Sequence, residues 1–204
     1  MRKRKIKFKR ILLLGLGFAI IFSLGLTLLM PKETDELLDP DRFVQENGFM
    51  VYQEDAYTSL QGIDVSQHNG VIDWEQVKAS SIDFAMIRIG YRGAVHGELY
   101  QDEQFADNVK GAREQGIKVG VYWYSSAVTE EEIDEECALV LEMLANEKLD
   151  LPVAYDMEIF NTDTGRINSL STEQKTDLAL RFCEKIEQAG YDTMIYGNLD
   201  WLYH

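Results

Sequence analysis

Two carboxylates, Asp156 and Glu158, stand two residues apart at the end of the apolar run LPVAYDMEIFN, residues 151–161. If that run is a strand, residues i and i+2 share a face and lie roughly 6.6 Å apart at Cα. Like charges about 6 Å apart, at an effective dielectric of about 20, repel by roughly 2.8 kcal/mol. That is about two pKa units, enough to keep one acid protonated near neutrality while its partner ionises. Cleavage of a glycosidic bond needs that division of labour. A solvated loop start or a metal site could also hold such a pair, so the surroundings must decide.

From residue 61 onward, short apolar runs alternate with longer amphipathic segments. The pattern predicts strands over Gly62–Val65, Phe84–Ile89, Lys118–Tyr124, Pro152–Asp156 and Thr193–Tyr196. Helices are expected near Asp73–Ser80, Asp102–Gln115, Glu130–Glu147 and Thr172–Ala189. Thr129 with Glu132, and Ser171 with Gln174, have capping-box spacing. Gly116 and Gly190 stand where helices should stop. Five βα units in succession imply an α/β fold with a parallel sheet, and the nearly continuous apolar strands suggest a sheet covered on both faces. After the first strand GIDVSQHNG places an acid where a dinucleotide-binding fold would carry its glycine fingerprint. That favours a barrel, whose chemistry collects at the C-terminal strand ends.

Polar side chains recur at those ends: Asp64 with Ser66, Arg88, Tyr124 with Ser125, Asp156 with Glu158, and Tyr196 with Asn198. Trp123, out of phase with Tyr122 and Tyr124, should face the helices. Cys137 and Cys183 read as small apolar residues in helical stretches. TEEEIDEE, residues 129–136, reads as a solvated helical start whose acids complement the helix dipole.

The formal charge of −15 conceals an asymmetry. Residues 1–10 hold seven of the 20 cations and no acid, so the remaining 13 face 35 acids and leave −22. A nucleic-acid partner is excluded on that ground, because so acidic a domain repels phosphates. Residues 11–30 carry no charge; as a helix they span about 30 Å, the thickness of a bilayer's hydrocarbon core. The preceding cations hold the N-terminus in the cytoplasm. The expected order is therefore a basic cytoplasmic tail (1–10), a transmembrane signal anchor (11–30), an acidic stalk (31–60) with a short strand near Phe49–Tyr52, and an extracellular domain (61–204). Secretion after signal cleavage is the alternative, although LTLLMPKE offers no good cleavage site.

The stretch GIDVSQHNGVIDWEQVKASSIDFAMIRIGYRG (62–93) resembles the opening of the glycoside hydrolase family 25 lysozymes, the Chalaropsis-type muramidases. The resemblance continues through FADNVKGAREQGIKVGVYWYS (105–125), PVAYDMEIF (152–160) and YDTMIYGN (191–198). It implies a modified TIM-like barrel of five βα units and three further strands. It also implies cleavage of the β-1,4 bond between N-acetylmuramic acid and N-acetylglucosamine in peptidoglycan, without a cofactor or metal. By the same resemblance Glu158 is the general acid, and Asp156 and Asp64 are supporting carboxylates. Tyr124, Tyr196, Arg88 and Asn198 are expected sugar contacts. The chain stops at NLDWLYH, before the family's last strands, so the domain is expected to be incomplete.

Two other functions compete. A non-catalytic wall-binding module would keep the aromatic groove without hydrolysing anything. A metal-dependent deacetylase would use Asp64 and His68 with Asp156, but it needs paired histidine ligands, and His68, His96 and His204 are far apart.

Overall fold

The computed structural model describes residues 38–145, 147–158 and 164–198. The expected tail and membrane anchor lie outside them. Among the described residues no helix is long and apolar enough to cross a membrane. The chain divides into two units, Met1–Glu54 and Asp55–His204.

In the first unit, β1 (Phe43–Glu46) pairs antiparallel with β2 (Phe49–Tyr52). Asn47 and Gly48 both take positive φ, 51° and 89°, the two-residue turn whose twist matches a hairpin. The expected stalk therefore contains a hairpin, and Asn-Gly was the signal for it. The Phe43 and Tyr52 rings lie 5.0 Å apart, and the Tyr52 hydroxyl donates to Glu54 Oε2 at 3.0 Å.

The second unit is built on β3 (Gly62–Val65), β4 (Phe84–Arg92), β5 (Leu99–Gln101), β6 (Lys118–Tyr124), β7 (Val153–Asp156) and β8 (Thr193–Tyr196). Its helices are α1 (Trp74–Ala79), α2 (Phe105–Glu114), α3 (Glu130–Leu144) and α4 (Thr172–Gln188). The sheet runs β3-β4-β6-β7-β8, every neighbouring pair parallel, with β5 antiparallel on β4. Strands thus follow one another in chain order with no reversal, the winding of a barrel rather than of a doubly wound sheet. Among the described residues β3 and β8 do not pair, so the barrel is not closed. Met194, Ile195 and Tyr196 of β8 are exposed.

Outward side chains of the strands form the core with the helices. Val65, Ala85, Ile87 and Val119 pack with Trp74 of α1 and Ala112 of α2. Val121, Trp123, Val153 and Tyr155 pack with Ile133, Cys137 and Val140 of α3 and with Leu178, Phe182 and Ile186 of α4. Trp123 is completely buried there, as its phase predicted. Cys137 is buried, whereas Cys183 is only half-buried, and both are free thiols. Coverage on both faces was expected, but among the described residues helices cover only this one.

Several boundaries moved for local reasons. The second helix begins at Phe105 rather than at Asp102, because the Asp102 carboxylate is occupied accepting from Gln104 N and from Arg88. The third stops at Leu144, where Ala145 turns left-handed at φ 49°. Ser171 and Gln174 form the complete capping box. Thr129 accepts from Glu132 N at 3.3 Å, but the Glu132 carboxylate takes Val128 N and Arg166 instead, so only half of that box exists. Gly116 and Gly190 follow the helix ends at positive φ. Strand β4 extends to Arg92 because β5, not anticipated from sequence, pairs with its last turn of chain.

That pairing depends on Gly90. The register shifts between Arg88 and Gly90, and a Cβ on Gly90 would stand 2.4 Å from the Tyr100 carbonyl oxygen and 2.5 Å from the buried Trp123 ring. Neither backbone nor a core indole can move aside cheaply. Gly90→Ala should therefore lower stability by about 1–3 kcal/mol, read as a reduced urea midpoint with an unchanged m-value; an unaltered midpoint would mean that β5 is not held against β4.

Candidate active site

Side chains of the opposite parity line the inner face. Phe84 and Met86 of β4, Tyr122 of β6, Ala154 of β7 and Met194 of β8 surround a cavity of about 410 Å³ whose rim carries Asp64, Asp156, Glu158 and Tyr196. Strands β3 and β7 are separated by β4 and β6, about 14 Å across a flat sheet. Asp64 and Asp156 nevertheless line one cavity, so the sheet curls. Asp64 is level with Met86 and through it with Gly120, four residues before Tyr124, the partner of Asp156. Such a stagger is what strand tilt around a barrel produces. The three acids expected to converge therefore do so.

Asp156 is buried, and its Oδ1 has no hydrogen-bond partner. Burial, then the neighbouring Glu158 and Asp64 charges, push its carboxyl up to about 7 against the opposing pull of Arg88. Burial, which the spacing argument did not include, is the larger cause. Glu158 is half-buried and Asp64 exposed. Tyr124 is the register partner of Asp156, and burial with the Asp156 and Glu158 charges raises its phenol. Tyr196 is raised chiefly by Glu158. Asn198 is half-buried two residues beyond β8.

Arg88 lies behind the cavity. Its Nε donates to Asp102 Oδ2 at 2.8 Å, its Nη2 is buried without a partner, and its guanidinium sits 4.8 Å from the Tyr91 ring centre. Asp102 also accepts from Gln67 N at 3.0 Å, which ties the exit of β3 to β4. Sequence reasoning passed over Asp102, a single acid among 35 with no distinguishing spacing. His68 is exposed, and among the described residues no His, Cys, Asp or Glu side chains gather in threes as a metal site.

The acids of α3 are not uniformly solvated, contrary to the reading of residues 129–136. Glu136 is completely buried. It accepts from Arg92 Nε and from Ser125 Oγ, each at 2.8 Å, while burial pushes its carboxyl up to about 7. Ser125 N in turn donates to the Asp156 carbonyl at 2.7 Å. One buried network thus reaches from α3 to the backbone of the acid at the cavity. Glu132 pairs with Arg166, and Asp134 with Arg181 and Lys185. A second cavity of about 370 Å³ lies at the opposite strand ends, between residues 147–152 and 189–192, away from these buried acids.

The sequence profile of the glycosyl hydrolases family 25 matches residues 63–204. Lysozyme M1 of Streptomyces globisporus is 37% identical over 68 residues, 33% of this chain and 21% of that protein. The modular autolysin LytC of Streptococcus pneumoniae, in complex with a synthetic peptidoglycan ligand, superposes with a TM-score of 0.61 at 25% identity, over 78% of this chain and 38% of its own. A family 25 glycosyl hydrolase from Bacillus anthracis shares the fold with a TM-score of 0.57 at 23% identity, over 72% of this chain and 64% of its own. The chain thus spans less than two thirds of each of these relatives.

The raised Asp156 carboxyl has a consequence for stability. Its folded pKa lies above that of the unfolded chain, so its favourable contribution is full below about pH 4 and is lost as pH rises through about 7. Asp156→Asn should flatten the fall in stability between about pH 5 and pH 8, leaving the part due to Glu136, which shifts in the same direction. Denaturant midpoints across that range test this, and identical slopes for both proteins would remove the protonated Asp156.

Proposed function

Because the chain belongs to the glycosyl hydrolases family 25, we propose that it is a peptidoglycan hydrolase cutting the β-1,4 bond between N-acetylmuramic acid and N-acetylglucosamine. The observation that carries this reading is the unpartnered, buried Oδ1 of Asp156 beside Glu158 and Asp64 on one cavity. Burial, with the neighbouring charges, keeps a proton on Asp156 up to about pH 7. A sugar acetamido N–H donated to its free Oδ1 favours the carboxylate form and releases that proton. Glu158, less buried than Asp156, then protonates the departing glycosidic oxygen. Asp156 and Asp64 stabilise positive charge at the anomeric carbon. In this reading Tyr124, Tyr196 and Asn198 contact the sugars, while Arg88, expected among them, braces the site through its pairing with Asp102.

We also propose that residues 11–30 anchor the protein in the bacterial cell membrane, with residues 61–204 outside. The support is the run of uncharged residues after seven cations.

Clearing of bacterial wall suspensions tests the activity. Glu158→Gln should reduce it by about two to four orders of magnitude while wall binding persists. Clearing by the unsubstituted protein should fall as pH rises past about 7, as Asp156 loses its proton. Wall binding with no clearing by the unsubstituted protein would reject the hydrolase and assign a binding module instead.

A further inference from the structure

We propose that Tyr100, stacked on Tyr91 at the outer end of the strand-end row, forms a sugar-binding subsite a few sugar residues from the bond cleaved at Asp156 and Glu158. The inference rests on reading the cavity as a glycan site and extends that site along the sheet.

The observation is one of register. Tyr196 partners Asp156, Asp156 partners Tyr124, Tyr124 partners Tyr91, and Tyr91 partners Tyr100. Cross-strand partners project from the same face of a sheet. Four tyrosines and the buried acid therefore form a continuous row over β8, β7, β6, β4 and β5. From Asp156 to Tyr100 the row crosses three strand spacings, roughly 14 Å along the sheet. Leu99, one residue out of phase with Tyr100, packs against the helix-side core. This agrees with Tyr100 lying on the other face.

The outer end of the row is rigidly built. The Tyr91 and Tyr100 rings are stacked, 4.9 Å apart with 19° between their planes, and the Arg88 guanidinium supports Tyr91. Arg88 is itself fixed by Asp102. The β4–β5 turn is tied down by Arg92 Nη1 donating to Gly97 O at 2.6 Å and by Arg166 N donating to Ala94 O at 3.0 Å. Yet Tyr100 is 44% exposed. A large ring held in place but left open offers a flat apolar surface with a polar tip. The C–H face of a pyranose fits such a surface, and a glycan lying along the row would bring successive sugars onto it. An extended polymer suits this row better than a compact ligand, because Tyr100 is not among the residues lining the acids' cavity, and its partner Tyr91 stands five residues further along β4 than Met86, the partner of Asp64.

The test uses the full chain carrying Glu158→Gln, which cannot consume its ligand. Peptidoglycan glycan fragments of two, four and six sugars, freed of stem peptides, are titrated calorimetrically. Affinity should rise with length. Tyr100→Ala should weaken binding of the six-sugar fragment by about five- to tenfold and leave the two-sugar fragment unchanged. Tyr100→Phe should retain the length dependence. Tyr100→Leu keeps an apolar contact with Tyr91 but no flat ring, and should show the same selective loss if the alanine variant folds poorly. Equal weakening at every length, or none at any, would overturn the subsite. Length-dependent binding through Tyr100 with no wall clearing by the unsubstituted chain would keep the subsite and reject the hydrolase. Clearing without any effect of Tyr100 would do the reverse, and absence of binding at all lengths would overturn both.

Discussion

Right-handed crossovers between strands that neighbour one another in chain order put every helix on the same face of a sheet. Among the described residues of the second unit, the four helices all pack on the outward side chains of the strands. Among the described residues no helix packs on the inward side chains, and these line a cavity. Acids can then stand at the strand ends without meeting a hydrophobic layer. The curl of the sheet brings β3 within reach of β7, so that Asp64 lines the same cavity as Asp156 although it stands four residues lower in register. The candidate site is thus a product of one-sided winding.

Three buried acids of this unit meet different fates. Asp102 accepts from Arg88 and from the backbone N–H groups of Gln67 and Gln104. Glu136 is held by Arg92 and Ser125. Removing one partner from a buried pair of this kind typically costs about 3–5 kcal/mol, so both are structural commitments. Asp156 differs, since one of its oxygens is buried with nothing to accept from. Native interiors seldom tolerate an orphaned polar atom. This one stands in the cavity, beside two other acids, where a substrate's donor could complete it. The satisfied carboxylates of Asp102 and Glu136 hold the frame around Asp156. Arg88–Asp102 fixes β3 to β4, and Glu136–Ser125 reaches the Asp156 backbone.

Much of this was legible as local pattern. The alternation of apolar and polar residues located five strands and four helices. Ser171 and Gln174 announced a helix start, and the phase of Trp123 correctly put it on the helix side. The i, i+2 spacing of Asp156 and Glu158 put both acids at one strand end. Other features left weaker traces. Strand β5 has only three residues, too few to display a period, and Asn47-Gly48 was hidden within an acidic stretch. Glu136 sits in a run of acids and looks solvated, because nothing local reveals that Arg92 and Ser125 approach it from two different strand ends.

Residue order and spacing were therefore sufficient for the elements, their succession and the pairing of two carboxylates, since each depends on neighbours within a turn or two of chain. Which distant groups meet those carboxylates was settled by the curvature and stagger of the folded sheet. Asp64 joining Asp156 across two intervening strands, the burial that raises the Asp156 carboxyl, and the alignment of Tyr91 and Tyr100 with it all arise there. These are distances between segments remote in the chain, and they exist only once the strands are laid side by side.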